Sequence, residues 1–311
     1  MAKLKTTEIV GVANRPATIC SNTMCIWFDT TNLKTVISYC GNVGSWSAGG
    51  ALITARRLLA GAGTQNEGLA IGGETVTCTE EYNGTSWSTG GALITGRGRL
   101  AGAGSQNAGL AMGGNYNTST EEYNGTSWST GGALITGRGL LGGAGTQNEG
   151  LAFGGGGGES STSCTEEYNG ASWSVGGTLL RARMALAGVG SQNAGLAAGG
   201  YEFGTRFVCT EEYNGTSWSV GGSLLTARSF LAGAGTQNLG LAFGGNPNNT
   251  EEYNGTSWSA GFFLISERRC LAGAGSQSAG LAMGGFSNFS SLTVSCTEEY
   301  NITLSLVDKT I

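Results

Sequence analysis

Acidic residues recur in this 311-residue chain at a fixed spacing. Glu-Glu pairs stand at Glu80-Glu81, Glu121-Glu122, Glu166-Glu167, Glu211-Glu212, Glu251-Glu252 and Glu298-Glu299, each followed by Tyr. Glycoside hydrolysis needs two carboxyls roughly 5–10 Å apart, but six equivalent pairs do not make one active site. A structural part for them is the simpler reading. The chain has no His, which removes the commonest catalytic base and metal ligand together. Its Asp residues are Asp29 and Asp308, so acidic calcium loops are absent, and no nucleophile–base pair can be pointed to. The sequence therefore predicts a non-enzyme with no catalytic residues, no cofactor and no metal.

Other polar residues keep the same period. Gln65, Gln106, Gln147, Gln192, Gln237 and Gln277 each follow a small-residue run. Their amides suit sugar hydroxyls at a channel mouth, and they equally suit turns. A recurrent Arg (Arg57, Arg99 or Arg97, Arg138, Arg183, Arg228, Arg269) is expected to pair with one Glu of each pair. Adjacent strand residues face opposite sides, so one Glu is buried and needs that partner. The lysines are Lys3, Lys5, Lys34 and Lys309, and the net charge is −5. No clustered cation stripe exists for a nucleic-acid backbone, so no nucleic-acid partner is expected. Of eight Cys, Cys78, Cys164, Cys209 and Cys296 share one repeat position. Equivalent positions on separate units are too far apart to bridge, so free thiols are expected.

These residues imply the elements that must hold them. Trp46, Trp87, Trp128, Trp173, Trp218 and Trp258 are spaced by 41, 41, 45, 45 and 40 residues. Between them lie a diglycine such as Gly72-Gly73, the Thr-Glu-Glu-Tyr run and Asn83-Gly84, a strong hairpin signal. No stretch has a capped 3.6-residue apolar period. A 40–45-residue period with four short strands per copy predicts an all-β chain, a β-propeller of six four-stranded blades. Glycine, 58 residues in all, is expected where innermost strands crowd. The Trp strand at Trp46 is expected beside Thr297–Tyr300, completing the last blade and removing exposed edges. Seven blades, with the N-terminal segment as a degenerate blade, is the alternative. The divisions are residues 1–45, a hairpin or attachment arm that contributes to closure; 46–301, the propeller; and 302–311, a tail.

Diglycine, then Glu-Tyr, then Trp about five residues on, then Arg opening the next copy, resembles the kelch repeat over residues 44–301. The wording of the copies, TEEYNGTSW and LAGAGTQN, is similar to kelch-like repeat proteins of bacteriophages, including those of cyanobacteria. The stretch RPATICSNTMCIWFDTTNLKTVISYCGNVGSW resembles a short motif of phage fibre and structural proteins, although Cys40-Gly-Asn-Val-Gly44 departs from its usual ending. The kelch-bladed copper enzyme galactose oxidase needs His, which is missing here. No BTB or BACK region accompanies the repeats, so a ubiquitin-ligase adaptor is not supported.

Variation concentrates between diglycine and Glu-Glu-Tyr, where the links hold 6, 6, 10, 10, 5 and 12 residues. Loops on a rigid scaffold commonly carry recognition. The candidate binding residues are Tyr116, Tyr201, Phe203, Arg206, Phe207, Phe286 and Phe289, read as exposed aromatics with one cation. The resemblance implies a virion structural protein on a tail, fibre or capsid surface, whose partners are other virion proteins or a host-surface glycan or receptor. A homo-oligomer in the particle fits the same reading. The alternative is a secreted or surface glycan-binding module. No run approaches the roughly 18 apolar residues of a membrane span, and no Sec-type leader is visible.

Overall fold

The computed structural model describes residues 24–29, 34–158, 160–245, 248–287 and 289–310. Among them there is no helix. The chain is all-β, built of small antiparallel four-stranded sheets in an arrangement consistent with a propeller-like fold. It divides into two compact units, residues 46–301 and residues 1–45 with 302–311. In the smaller unit, Met24 to Asp29 pairs antiparallel with Lys34 to Tyr39. The rest of the proposed arm, residues 1–23 and 30–33, lies outside the described residues.

The first sheet of the larger unit orders Ala60–Gly63, Gly68–Ile71, Thr79–Tyr82 and Trp87–Thr89. Four more repeat this pattern from Ala101–Ser105, Gly142–Gly145, Ala187–Ser191 and Ala232–Gly235. The next begins with Ala272–Gly275 and Ala279–Met283, continues with Thr297–Thr310 and then takes Lys34–Ala48 as neighbour. Trp46 thus stands in this sheet where Trp87 stands in the first.

Packing between sheets explains the composition. The second strand of each sheet is almost wholly buried, as in Gly68–Ile71, because neighbouring sheets cover both faces. Leu69 and Ile71 share a core with Leu93, Ala111, Tyr123 and Trp128 of the following repeat. Ala272, Leu281 and Met283 share one with Leu59, Tyr82 and Trp87. First strands approach so closely that a Cβ on Gly102 would lie 2.6 Å from Gly61 O, and one on Gly61 only 2.5 Å from Gly273 O. No side chain fits there. Each buried Trp, Trp87 or Trp173 for example, removes about 150–250 Å² from water, a transfer term of about 4–6 kcal/mol.

The repeated polar residues join the sheets. The first Glu of each pair is buried against an Arg: Arg56–Glu80 and Arg138–Glu166 at 3.0 Å, Arg183–Glu211 at 3.2 Å, Arg228–Glu251 at 2.6 Å, and Arg97–Glu121 and Arg268–Glu298. The expected Arg was therefore displaced in two copies, where Arg56 and Arg268 take the part assigned to Arg57 and Arg269, and in the second copy, where Arg99 or Arg97 was expected, the pairing residue is Arg97. Arg268 and Arg269 lie in one strand, where successive side chains face opposite sides, so only one of the two can meet the buried Glu. The second Glu accepts a Tyr hydroxyl from the following repeat, as in Tyr123 to Glu81 at 2.6 Å and Tyr82 to Glu299 at 2.6 Å. Each Trp indole donates to the Thr of the preceding sheet: Trp128 to Thr79, Trp87 to Thr297 and Trp46 to Thr250, all at 2.9 Å.

Candidate functional site

One position whose side chain differs between the six repeats gathers them at a common point. It follows the buried Arg by two residues and holds Leu58, Arg99, Leu140, Ala185, Phe230 and Cys270. All six are non-glycine residues in the left-handed region, with φ from 53° to 61°. Each N–H donates to the carbonyl at the equivalent position of the preceding repeat: Arg99 to Leu58, Leu140 to Arg99, Ala185 to Leu140, Phe230 to Ala185, Cys270 to Phe230 and Leu58 to Cys270, at 2.7–2.9 Å. These six residues and the leucine that follows each of them line a depression of about 80 Å³.

The links fold over the rim of this depression. Gly139 bridges Gly156, and Met184 bridges Tyr201. Arg268–Arg269 pairs with Phe286–Ser287. Tyr201–Glu202 and Thr205–Arg206 form a hairpin whose two turn residues, Phe203 and Gly204, both have positive φ (46° and 80°). That is the primed turn, which favours Asn-Gly or Gly-Gly.

The predicted aromatics divide into three groups. Tyr116, Tyr201 and Phe286 lie against the rim. The guanidinium of Arg99 stands 5.5 Å from the Tyr116 ring centre, and Tyr201 lies 5.4 Å from Phe230, tilted by 31°. Phe286 has Arg57 at 4.7 Å and Arg269 at 5.4 Å. Phe203 and Phe289 form exposed tips, 80% and 98% accessible. Phe207 corrects the expectation of an exposed contact: it is 5% exposed and lies 3.8 Å beneath the Arg181 guanidinium. Phe207 N–H donates to Gly200 O and its carbonyl accepts from Arg228, which turns its side chain inward. Arg206, exposed, lines a second cavity of about 240 Å³ with Tyr201, Gly204, Ser229, Phe230 and Arg269.

Electrostatics mark the same place. Burial pushes the Cys270 thiol up to about 11, against the opposing fields of Arg269, Arg57 and Arg99. Those three cations therefore all act on one point of the rim. Burial also raises the Tyr201 hydroxyl, again opposed by Arg99. Phe230, Arg57, Arg99 and Arg269 were not expected here from sequence. The signal was the variation of the residues just after each buried Arg, which the varying link lengths obscured.

The Gln belt is structural. Gln106 Nε2 donates to Gly68 O and Tyr82 O, and Gln65 to Gly280 O and Tyr300 O. These amides clamp one sheet to the next. Cys78, Cys164, Cys209, Cys270 and Cys296 are free. Among the described residues no three of His, Cys, Asp and Glu come together as a metal site requires, and no helix is long and apolar enough to cross a membrane. No known protein family matches the chain, and no curated protein matches it.

Proposed function

We propose that this chain is a non-enzymatic binding protein of a bacteriophage particle. In this reading residues 46–301 form a closed propeller of six kelch-like blades, and the link-bearing face engages a host-surface glycan or another virion protein. Closure is supported by the bonds from every sheet to its predecessor, including those from Trp87 to Thr297 and from Gln65 to Tyr300. Placement in a particle rests on the resemblance of the repeat wording and of the N-terminal segment to phage proteins.

One observation carries the binding reading. Phe203 occupies a left-handed turn position suited to Asn or Gly, yet it is 80% exposed. A side chain held at a conformational cost with nothing packed on it points outward to a partner. The test is quantitative proteomics of purified particles together with adsorption. The chain is expected at fixed copy number, and F203A with F289A should weaken adsorption at least tenfold with an unchanged melting temperature. Absence from particles, or unchanged adsorption, overturns the reading.

A further inference from the structure

The distribution of arginine on the larger unit is uneven. Residues 46–301 hold eleven Arg, and six of these are sequestered in the buried pairs with Glu. Of the remaining five, Arg57, Arg99, Arg206 and Arg269 stand at one mouth, and Arg181 lies elsewhere over Phe207. Within residues 46–301, four of the five guanidiniums outside the buried pairs thus stand in one place.

Carboxylates do not neutralise that group evenly. Arg57 pairs with the half-exposed Glu74 at 2.7 Å. Among the described residues Arg99 and Arg269 form no ion pair, and each is fixed by an aromatic face instead, Tyr116 for one and Phe286 for the other. A cation held by a ring keeps its charge and its planar donor fork available. Both guanidiniums are half-buried, so their field is screened less than on open surface. Arg269 lines a cavity of about 240 Å³ together with the Tyr201 and Phe230 rings, and Arg99 lines the adjoining depression, which shares Phe230 with it. The cavity is below the range of drug-sized pockets, roughly 300–1,000 Å³, and suits a ligand of about one ring. Carboxylate recognition by an Arg fork is bidentate and specific, while an aromatic wall covers the apolar face of a sugar.

We propose that the mouth formed by Arg99, Arg269, Tyr201 and Phe230 binds an acidic saccharide, with the sugar's anionic group at the guanidiniums and its ring against Phe230. This inference rests on the binding-protein reading above and names its ligand class. The probe is immobilised polygalacturonate, with dextran as neutral sugar and polyglutamate as carboxylate without a sugar. The full chain should be retained on polygalacturonate, released by free galacturonate and not by galactose, and should pass through dextran and polyglutamate. R99Q and R269Q should each weaken retention at least tenfold with an unchanged melting temperature. R181Q, which removes the same charge away from the mouth, should bind as the wild type does. Equal retention on polyglutamate, or equal weakening by R181Q, would show nonspecific attraction and overturn the proposal. Passage through polygalacturonate would also overturn it. If adsorption still depended on Phe203 and Phe289, the ligand class would fall while the binding function stood.

Discussion

Replacing Trp46 by Ala tests whether the N-terminal strand completes the last sheet as the other outer strands complete theirs. Trp46 is 8% exposed. Its ring lies 5.0 Å from Phe243 and 5.1 Å from Tyr300, and its indole N–H donates to Thr250 Oγ1 at 2.9 Å. Trp128, whose sheet is continuous in sequence, has equivalent surroundings: 7% exposure, Tyr123 at 4.9 Å and Thr79 at 2.9 Å. Truncating either removes a buried aromatic worth about 3–5 kcal/mol and a hydrogen bond worth about 1 kcal/mol. Both variants should therefore lose about 4–6 kcal/mol. With a urea m-value of roughly 3 kcal/mol/M, each midpoint falls by about 1.3–2 M. Urea titration followed by both fluorescence and circular dichroism measures this, and coincident transitions confirm that one cooperative unit is being read. Deleting residues 1–48 should abolish cooperative melting. If W46A leaves the midpoint almost unmoved while W128A lowers it by more than 1 M, the N-terminal strand is a dispensable edge and the closed ring is refuted.

Three further outcomes follow from the contacts. Burial first, and a hydrogen bond to Glu second, push the Tyr82, Tyr123, Tyr168 and Tyr213 hydroxyls up to about 12. The unfolded chain releases these protons from about pH 10 while the folded chain keeps them, so stability is full below pH 10, falls as pH rises and is lost above pH 12. An alkaline titration should show phenolate absorbance rising together with unfolding; ionisation near pH 10 with the fold intact would contradict this. R138M should cost about 3–5 kcal/mol in chemical denaturation, because it leaves the Glu166 carboxylate buried without its charge partner; a loss below 1 kcal/mol would mean that water reaches Glu166. G102V puts a Cβ 2.6 Å from Gly61 O and should lower stability by about 1–3 kcal/mol or more. G157A, with nothing within 4 Å, should stay within about 0.5 kcal/mol of wild type.

What the sequence disclosed was whatever repeats. Glu-Glu-Tyr, Trp and diglycine recur because the same contact is made between every pair of sheets, so the period alone located Thr79–Tyr82 and its five counterparts. Alternation within the Glu pair also placed one carboxylate inward against an Arg, whereas the bond from a neighbouring Tyr to the other was not read from the sequence. Register was harder. In Arg56-Arg57 and Arg268-Arg269 two identical side chains stand side by side, and composition does not distinguish the buried one from the exposed one. Phe207 was misplaced for a related reason. A link residue is read as exposed by default, but a link long enough to form a hairpin also has a base, and that base packs beneath Arg181. The mouth itself was illegible because its residues are non-local: Arg99, Phe230 and Cys270 meet only through backbone bonds among repeats.

Those backbone bonds explain how one surface varies while the scaffold stays constant. A non-glycine residue in the left-handed region costs about 1–2 kcal/mol, and this position carries six such residues with φ between 53° and 61°. Glycine would remove the cost, and the chain uses glycine freely at neighbouring positions such as Gly98 and Gly139. Leu, Arg, Ala, Phe and Cys stand there instead. The conformation is imposed by N–H donation from each repeat to the one before, and that bond is indifferent to the side chain it carries. Strand packing, the Arg–Glu pairs and the Trp–Thr bonds all lie elsewhere. A substitution at Phe230 or Arg99 therefore changes what the mouth presents without touching what holds the sheets together. Retaining bulky and charged side chains at a strained position, where the easier residue is abundant nearby, is the pattern expected when those side chains meet a ligand.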